Sequence, residues 1–200
     1  MLKSRWPNLG IVEAEDILSL QEVLTANQDA ELILLDLHMP GAYGFGALAF
    51  VHGLCPDTPV LVVSGNEKPE IMTKALSYGA RGFLPKSSNM DTINNAIETV
   101  LAGKTWLPEC ASSRPQFSPE ENEKKVMTAI SSLTPQQYLV LTMVAQGLLN
   151  KQIAYELDVT EATIKAHLTA IFRKLDVRSR TQAVLAVSSL HLEPPQTGLV

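Results

Sequence analysis

The sequence predicts two units in series: a doubly wound α/β unit built on a parallel sheet, then an all-α unit of short helices. Three observations predict it. Over residues 1–107, short apolar runs alternate with segments of helical period, the pattern of buried parallel strands joined by crossover helices. Residues 108–119 place Pro108, Pro115 and Pro119 among Ser112, Ser113 and Ser118 with little apolar content, and read as a linker. From residue 131 onward short helices follow one another, each with its own start and stop residues. The expected units are 1–107, a linker with a helix at 108–130, and 131–200.

In the first unit a strand is expected near residues 11–14 and a helix over 18–25. Residues 32–37 form a nearly continuous apolar run containing Asp36, typical of a strand buried on both faces. Helical pattern follows from Phe45 to Leu54. Residues 59–63 are a second buried strand running into Ser64-Gly65. Residues 71–78 are helical and stop at Gly79, and residues 82–84 are a short strand ending at Pro85-Lys86. A longer amphipathic helix carrying Ile93, Ile97, Val100 and Leu101 closes the unit. In open α/β sheets the working residues sit at the carboxyl ends of the strands, and Asp36, Ser64 and Lys86 occupy those ends on three successive strands. A carboxylate can accept a phosphoryl group, a hydroxyl can hydrogen-bond its oxygens, and an ammonium can neutralise its charge.

Ser118-Pro119-Glu120-Glu121 reads as the start of a linker helix reaching about Ser131. In the last unit Thr134 caps a helix with Pro135 at its first position, Gln137 closing a capping box and Leu133 stapling onto Tyr138; Gly147 stops it. Asn150 is expected to cap a second helix carrying Ile153, Ala154 and Leu157. Thr160 caps a third after the short Asp158-Val159 turn. Ile164, Leu168, Ile171 and Leu175 form an apolar stripe on that third helix, which must be buried. Its other face shows Ala162, Lys165, Ala166, Thr169 and Arg173: short residues for close approach to a major groove, and a hydroxyl and cations for base edges and phosphates. A short helix, a tight turn and such a helix together read as a DNA-binding helix-turn-helix. On the last helix Val184, Val187 and Leu190 make a narrow apolar strip, expected to support self-association, with burial against the first helix of the unit as the alternative.

Composition narrows the setting. The net charge of −5 is unevenly placed: residues 1–110 carry seven cations against thirteen acids, and residues 131–200 carry six against five. Modest local positive charge implies modest non-specific DNA affinity, so a dimer is expected for tight binding. No apolar run approaches the roughly 20 residues that span a membrane, and residues 1–10 lack an apolar leader, so no membrane role is expected. Cys55 and Cys110 match no metal or redox spacing, and a reducing cytoplasm is the expected location. His167 has no partner ligands at a suitable spacing.

Residues 131–190 resemble the LuxR/FixJ-type (NarL-like) output domain through Leu133-Thr134-Pro135, Gly147, Asn150-Lys151-Gln152-Ile153-Ala154, Thr163-Ile164-Lys165, His167 and the run from Val177 to Ala183. The resemblance implies that Lys165, Ala166 and Thr169 face the bases of double-stranded DNA. It implies that Lys151, Thr163 and Arg180 approach phosphates, and that the last helix forms a homodimer on a near-palindromic site. Residues 10–107 resemble the receiver domain of two-component response regulators through Leu34-Leu35-Asp36-Leu37-His38-Met39-Pro40-Gly41, Val63-Ser64 and the run from Gly79 to Lys86. That resemblance implies Asp36 as phosphoacceptor, Ser64 as switch hydroxyl, Phe83 as switch aromatic and Lys86 as phosphoryl partner, with a sensor histidine kinase as phosphodonor. Phe83 is equally well read as plain core, and Tyr43 stands where the receiver motif commonly has an acid.

The receiver pattern also begins with a strand ending in paired carboxylates that hold Mg²⁺, followed by a helix. The thirty residues before Glu31 fit one strand-helix unit of average size. The first strand, first helix and Mg²⁺ carboxylates are therefore expected to be absent from an N-terminally shortened receiver, and no metal ligand is assigned. Two functional readings follow: a DNA-binding transcriptional regulator of a phosphorelay, or a phosphorylation-independent DNA-binding regulator whose degenerate receiver dimerises or binds a partner. An enzyme using Asp36 as nucleophile is disfavoured, because His38 stands where a second carboxylate would be needed.

Overall fold

The computed structural model describes residues 10–42, 44–112 and 117–190. Tyr43, linker residues 113–116 and residues 191–200, all within ranges read above, lie outside the described residues. The elements are α1 (Ile17–Ala26), β1 (Ile33–Asp36), α2 (Phe45–Leu54), β2 (Val60–Ser64), α3 (Pro69–Ser77), β3 (Gly82–Pro85) and α4 (Met90–Leu101). They continue as α5 (Glu109–Ser112), α6 (Glu121–Ser131), α7 (Pro135–Ala145), α8 (Asn150–Glu156), α9 (Glu161–Lys174) and α10 (Arg180–Ser188).

Among the described residues the sheet has three parallel strands in the order β1-β2-β3, with Asp36 level with Val63 and Ser64 level with Pro85. Side chains alternate between the two faces. Ile33, Leu35, Val60, Val62 and Phe83 point into the larger core, which α1, α2 and α3 help to form. Leu61 and Leu84 point the other way, onto Ala96, Ile97 and Val100 of α4.

Two expectations are corrected here. Residues 10–14 form no strand: they make no ladder bonds, and Ile11 and Val12 stay exposed. A strand needs a neighbour for its N–H and C=O groups, and among the described residues β1 pairs with β2 alone. Nor is β1 buried on both faces. Leu34 is 43% exposed, on the face opposite to Ile33 and Leu35, because α4 covers β2 and β3 there.

The helical half follows its local chemistry. The Thr134 hydroxyl accepts from the Gln137 N–H while the Gln137 side chain accepts from the Thr134 N–H, closing the expected capping box. Gly147 ends that run at φ 89°, a left-handed conformation that favours glycine. The expected cap of α8 is displaced by one residue. Leu149 is the cap position and Gln152 Oε1 accepts its N–H at 2.7 Å, so Asn150 is already inside the helix. Asp158, at φ 50°, makes the tight turn into α9, whose cap is Thr160.

The linker helix is packed rather than free. It lies against α2, and at their crossing a Cβ on Gly53 would stand 2.0 Å from the Ser131 carbonyl oxygen; only glycine permits that approach. Phe50 of α2 stacks on Tyr138 of α7, and the Phe45 N–H donates to the Leu190 carbonyl at 3.0 Å. One continuous buried cluster runs from Ile17 to Leu190.

Candidate functional site

Two sites emerge from these elements. The first lies at the carboxyl end of the sheet. Asp36 ends β1, and its Oδ2 accepts from Lys86 Nζ at 2.6 Å. Its Oδ1 accepts the His38 N–H at 2.9 Å. Lys86 is placed by the backbone: its N–H donates to the Ser64 carbonyl at 2.9 Å, tying the loop after β3 to the end of β2. Ser64 is fully buried and its hydroxyl accepts the Asn66 N–H at 3.1 Å. Phe83, one strand over, is fully buried in the core. Asp36 and Lys86 thus meet directly, Ser64 adjoins Lys86 through its backbone, and Phe83 lies beneath. Chemically the pocket offers a carboxylate that is 33% exposed with a cation already on it.

The resemblance to a receiver implies a Mg²⁺ ion at this pocket, which would need further carboxylates beside Asp36. Of the acids near the start, Glu13 and Glu15 are exposed before α1, and Asp16 accepts from the Ser19 N–H and hydroxyl as the cap of α1, bonds that lower its pKa. Glu67, in the loop after β2, accepts the Ser87 hydroxyl at 2.5 Å. Among the described residues no three His, Cys, Asp or Glu side chains are grouped to hold a metal. The described residues do not fit Mg²⁺.

The second site is the outer face of α9. Ile164, Leu168, Ile171 and Leu175 are buried, as their spacing requires, and Ala162, Lys165, Ala166, Thr169 and Arg173 are exposed. Thr169 turns its hydroxyl back onto the Lys165 carbonyl at 2.9 Å. Thr163 is half-buried, with its hydroxyl 2.9 Å from that of Thr160. Lys151 of α8 is exposed. Lys174 is held elsewhere, donating to the Ser132 carbonyl and to Gln137.

Arg180 and the expected dimer strip both have partners within the chain. Arg180 Nη2 donates to the carbonyls of Val144 at 3.2 Å and Leu148 at 2.5 Å, which ties the start of α10 to the turn after α7. Val187 and Leu190 are buried within the chain, beside Gly46, Ile130 and Tyr138, and Val184 is partly buried. This is the alternative weighed for that strip. The large apolar side chain that α10 exposes is Leu185, at 64%.

Sequence reasoning missed the junction between the halves. Lys74 of α3 donates to Glu123 of α6 at 3.1 Å and sits 4.9 Å from the Phe117 ring, and the Ser77 hydroxyl donates to the Phe117 carbonyl. These pairs are 40 or more residues apart in the chain, and no local pattern announces them.

Fold and site together define a receiver joined to a helix-turn-helix output unit. Residues 2–98 match the response regulator receiver domain, and residues 131–187 match the family described as bacterial regulatory proteins, luxR family. The chain belongs to the luxR-family response regulators, which are transcriptional regulators with a DNA-binding output domain. It is 36% identical to the glycerol metabolism activator of Pseudomonas putida, over 92% of this chain and 86% of that protein. It is 33% identical to the nitrate/nitrite response regulator protein NarL of Escherichia coli K12, over 82% and 76%. Its fold resembles that of the Salmonella typhimurium response regulator RcsB, with a TM-score of 0.51 at 23% identity over 93% of this chain and 89% of that one. No helix among the described residues is long and apolar enough to cross a membrane.

Proposed function

We propose that this response regulator reads duplex DNA in the major groove with Lys165, Ala166 and Thr169, while Lys151 and Thr163 approach phosphates. One observation carries the reading: α9 buries its apolar stripe and leaves that small, basic face exposed even with the receiver-like unit docked. The working species is a homodimer on a near-palindromic site in the cytoplasm, and it acts by binding rather than as an enzyme. Self-association is assigned to Leu185 and the neighbouring Val184, because Val187 and Leu190 are already used within the chain. Binding by full-length protein to a selected site and to random duplex tests this. Lys165→Ala is expected to cost roughly 1–3 kcal/mol on the selected site only. Lys151→Ala is expected to weaken both duplexes and flatten the salt dependence. Equal losses on both duplexes for Lys165→Ala reject its base-reading role.

Asp36 is the position at which a sensor histidine kinase would deliver a phosphoryl group. The phosphorylation-independent reading is supported by a different observation: among the described residues no three His, Cys, Asp or Glu side chains are grouped to hold the metal whose charge phosphoryl transfer uses. Incubation with a small phosphodonor, followed by intact-mass measurement, separates the two. Uptake that Asp36→Asn abolishes supports the phosphorelay; no uptake supports the second reading.

A further inference from the structure

We infer that the Asp36 pocket of this chain works without a divalent cation, with the Lys86 ammonium as its resident counter-charge. The inference rests on the receiver reading only for the choice of cation to test. A hard cation such as Mg²⁺ takes six oxygen ligands in near-ideal octahedral geometry, and protein sites usually provide one or two carboxylates beside waters. Here Asp36 is the carboxylate that ends β1. Its Oδ2 lies 2.6 Å from the Lys86 Nζ and its Oδ1 accepts the His38 N–H.

Among the described residues no group of three His, Cys, Asp or Glu side chains forms there, and Glu13 and Glu15 lie exposed in the segment before α1. Asp16 is fixed as the cap of α1 by two bonds from Ser19. Asp29 and Glu31 precede β1 and line a groove with Asp57 and Arg81 at the opposite end of the sheet from Asp36. Glu67 has an oxygen on the Ser87 hydroxyl. A metal entering at Asp36 would have to displace an ammonium and overcome its repulsion with one carboxylate's help, whereas the ion pair is already formed at contact distance.

The pair also has a structural consequence. β1 and β3 do not touch in the sheet, since β2 lies between them. Lys86 reaches from the end of β3 to the end of β1, while its own N–H binds the Ser64 carbonyl at the end of β2. One residue therefore ties the carboxyl ends of all three strands together, and it needs no metal to do so.

The test uses the full chain and Mn²⁺, whose paramagnetic signal reports the free ion. Titrated at millimolar Mn²⁺, the wild-type protein and Asp36→Asn are expected to give superimposable free-ion curves. Ten-millimolar Mg²⁺ is expected to leave the wild-type Tm unchanged, since a ligand that binds only the folded state would raise it. Wild-type uptake of Mn²⁺ that Asp36→Asn loses overturns the inference. Asp36→Asn, Lys86→Met and the double variant supply a second measurement. Each single variant is expected to lower Tm, and the double variant to lower it by less than the two losses combined. Strict additivity overturns the assignment of Lys86 as counter-charge. DNA binding is read separately, so its failure would strike the output reading and leave this one standing.

Discussion

The ring of Phe50 lies flat on the ring of Tyr138, with centroids 4.2 Å apart and planes 8° from parallel. Phe50 belongs to α2 of the receiver-like half and Tyr138 to the first helix of the output half, and both are buried. Truncating Phe50 to alanine is expected to cost about 3–5 kcal/mol, as for buried aromatics generally. A double-mutant cycle with Tyr138→Ala should return a coupling of roughly 0.5–1.5 kcal/mol. Denaturant titration of the four proteins measures it, and a coupling of zero would mean that the stack adds nothing beyond area.

Two glycines on the same helix predict opposite outcomes. A Cβ on Gly46 would meet Tyr138 Oη at 3.6 Å and Ile130 Cδ1 at 3.7 Å, ordinary contact distances beside a narrow, mostly apolar void. Gly46→Ala is therefore expected to stabilise by about 0.5–1 kcal/mol through helix propensity. Gly53→Ala drives a methyl into the Ser131 backbone and is expected to destabilise by about 1–3 kcal/mol or more. Thermal unfolding should rank Gly46→Ala above wild type and Gly53→Ala below it.

The Lys74–Glu123 pair makes the junction acid-sensitive. Burial pushes the Glu123 carboxyl up, but the hydrogen bonds from Lys74 and the Glu120 N–H outweigh it and leave the pKa below its ordinary 4.5. A carboxyl lowered on folding contributes stability above its unfolded pKa, and that contribution is lost as pH falls through the folded value. Glu123→Gln is thus expected to lower Tm at pH 7 and to matter progressively less once the pH drops below about 4.5. A Tm difference that stays constant from pH 7 to pH 3 would contradict this.

Arg180 offers a clean discrimination between folding and DNA contact. Its guanidinium binds the Val144 and Leu148 carbonyls, so Arg180→Ala is expected to lower Tm by freeing α10 from the turn after α7. The salt dependence of binding to random duplex should stay at the wild-type slope. A slope reduced by about 0.9 would instead mark a phosphate contact.

Elements whose signal is local were legible. The bounds of α2, the Thr134–Gln137 capping box, the Gly147 stop, the Thr160 cap and the stripe from Ile164 to Leu175 all follow from residues within a turn or two of one another. What failed depends on partners distant in sequence. Residues 11–14 have strand composition but no strand beside them, and β1 lacks cover on one face. Val187 and Leu190 look available until α7 and α2 are packed on them. The Leu149 cap is a nearer miss: Gln152, three residues on, accepts the Leu149 N–H, and the helix starts one residue earlier than Asn150 as cap would place it. At the sheet end the triplet Asp36, Ser64 and Lys86 was visible in sequence, but the direct contact of Lys86 with Asp36 was not.

The continuous core has a consequence for inheritance. Phe50, Ile130, Tyr138 and Leu190 belong to one buried cluster, so the two halves are not interchangeable cassettes. Grafting either half onto a foreign partner would strip Tyr138 of its ring neighbour and leave Leu190 bare. Substitutions on the two sides of this seam must therefore be tolerated as pairs, and descendants of this chain that keep both halves folded should change them together.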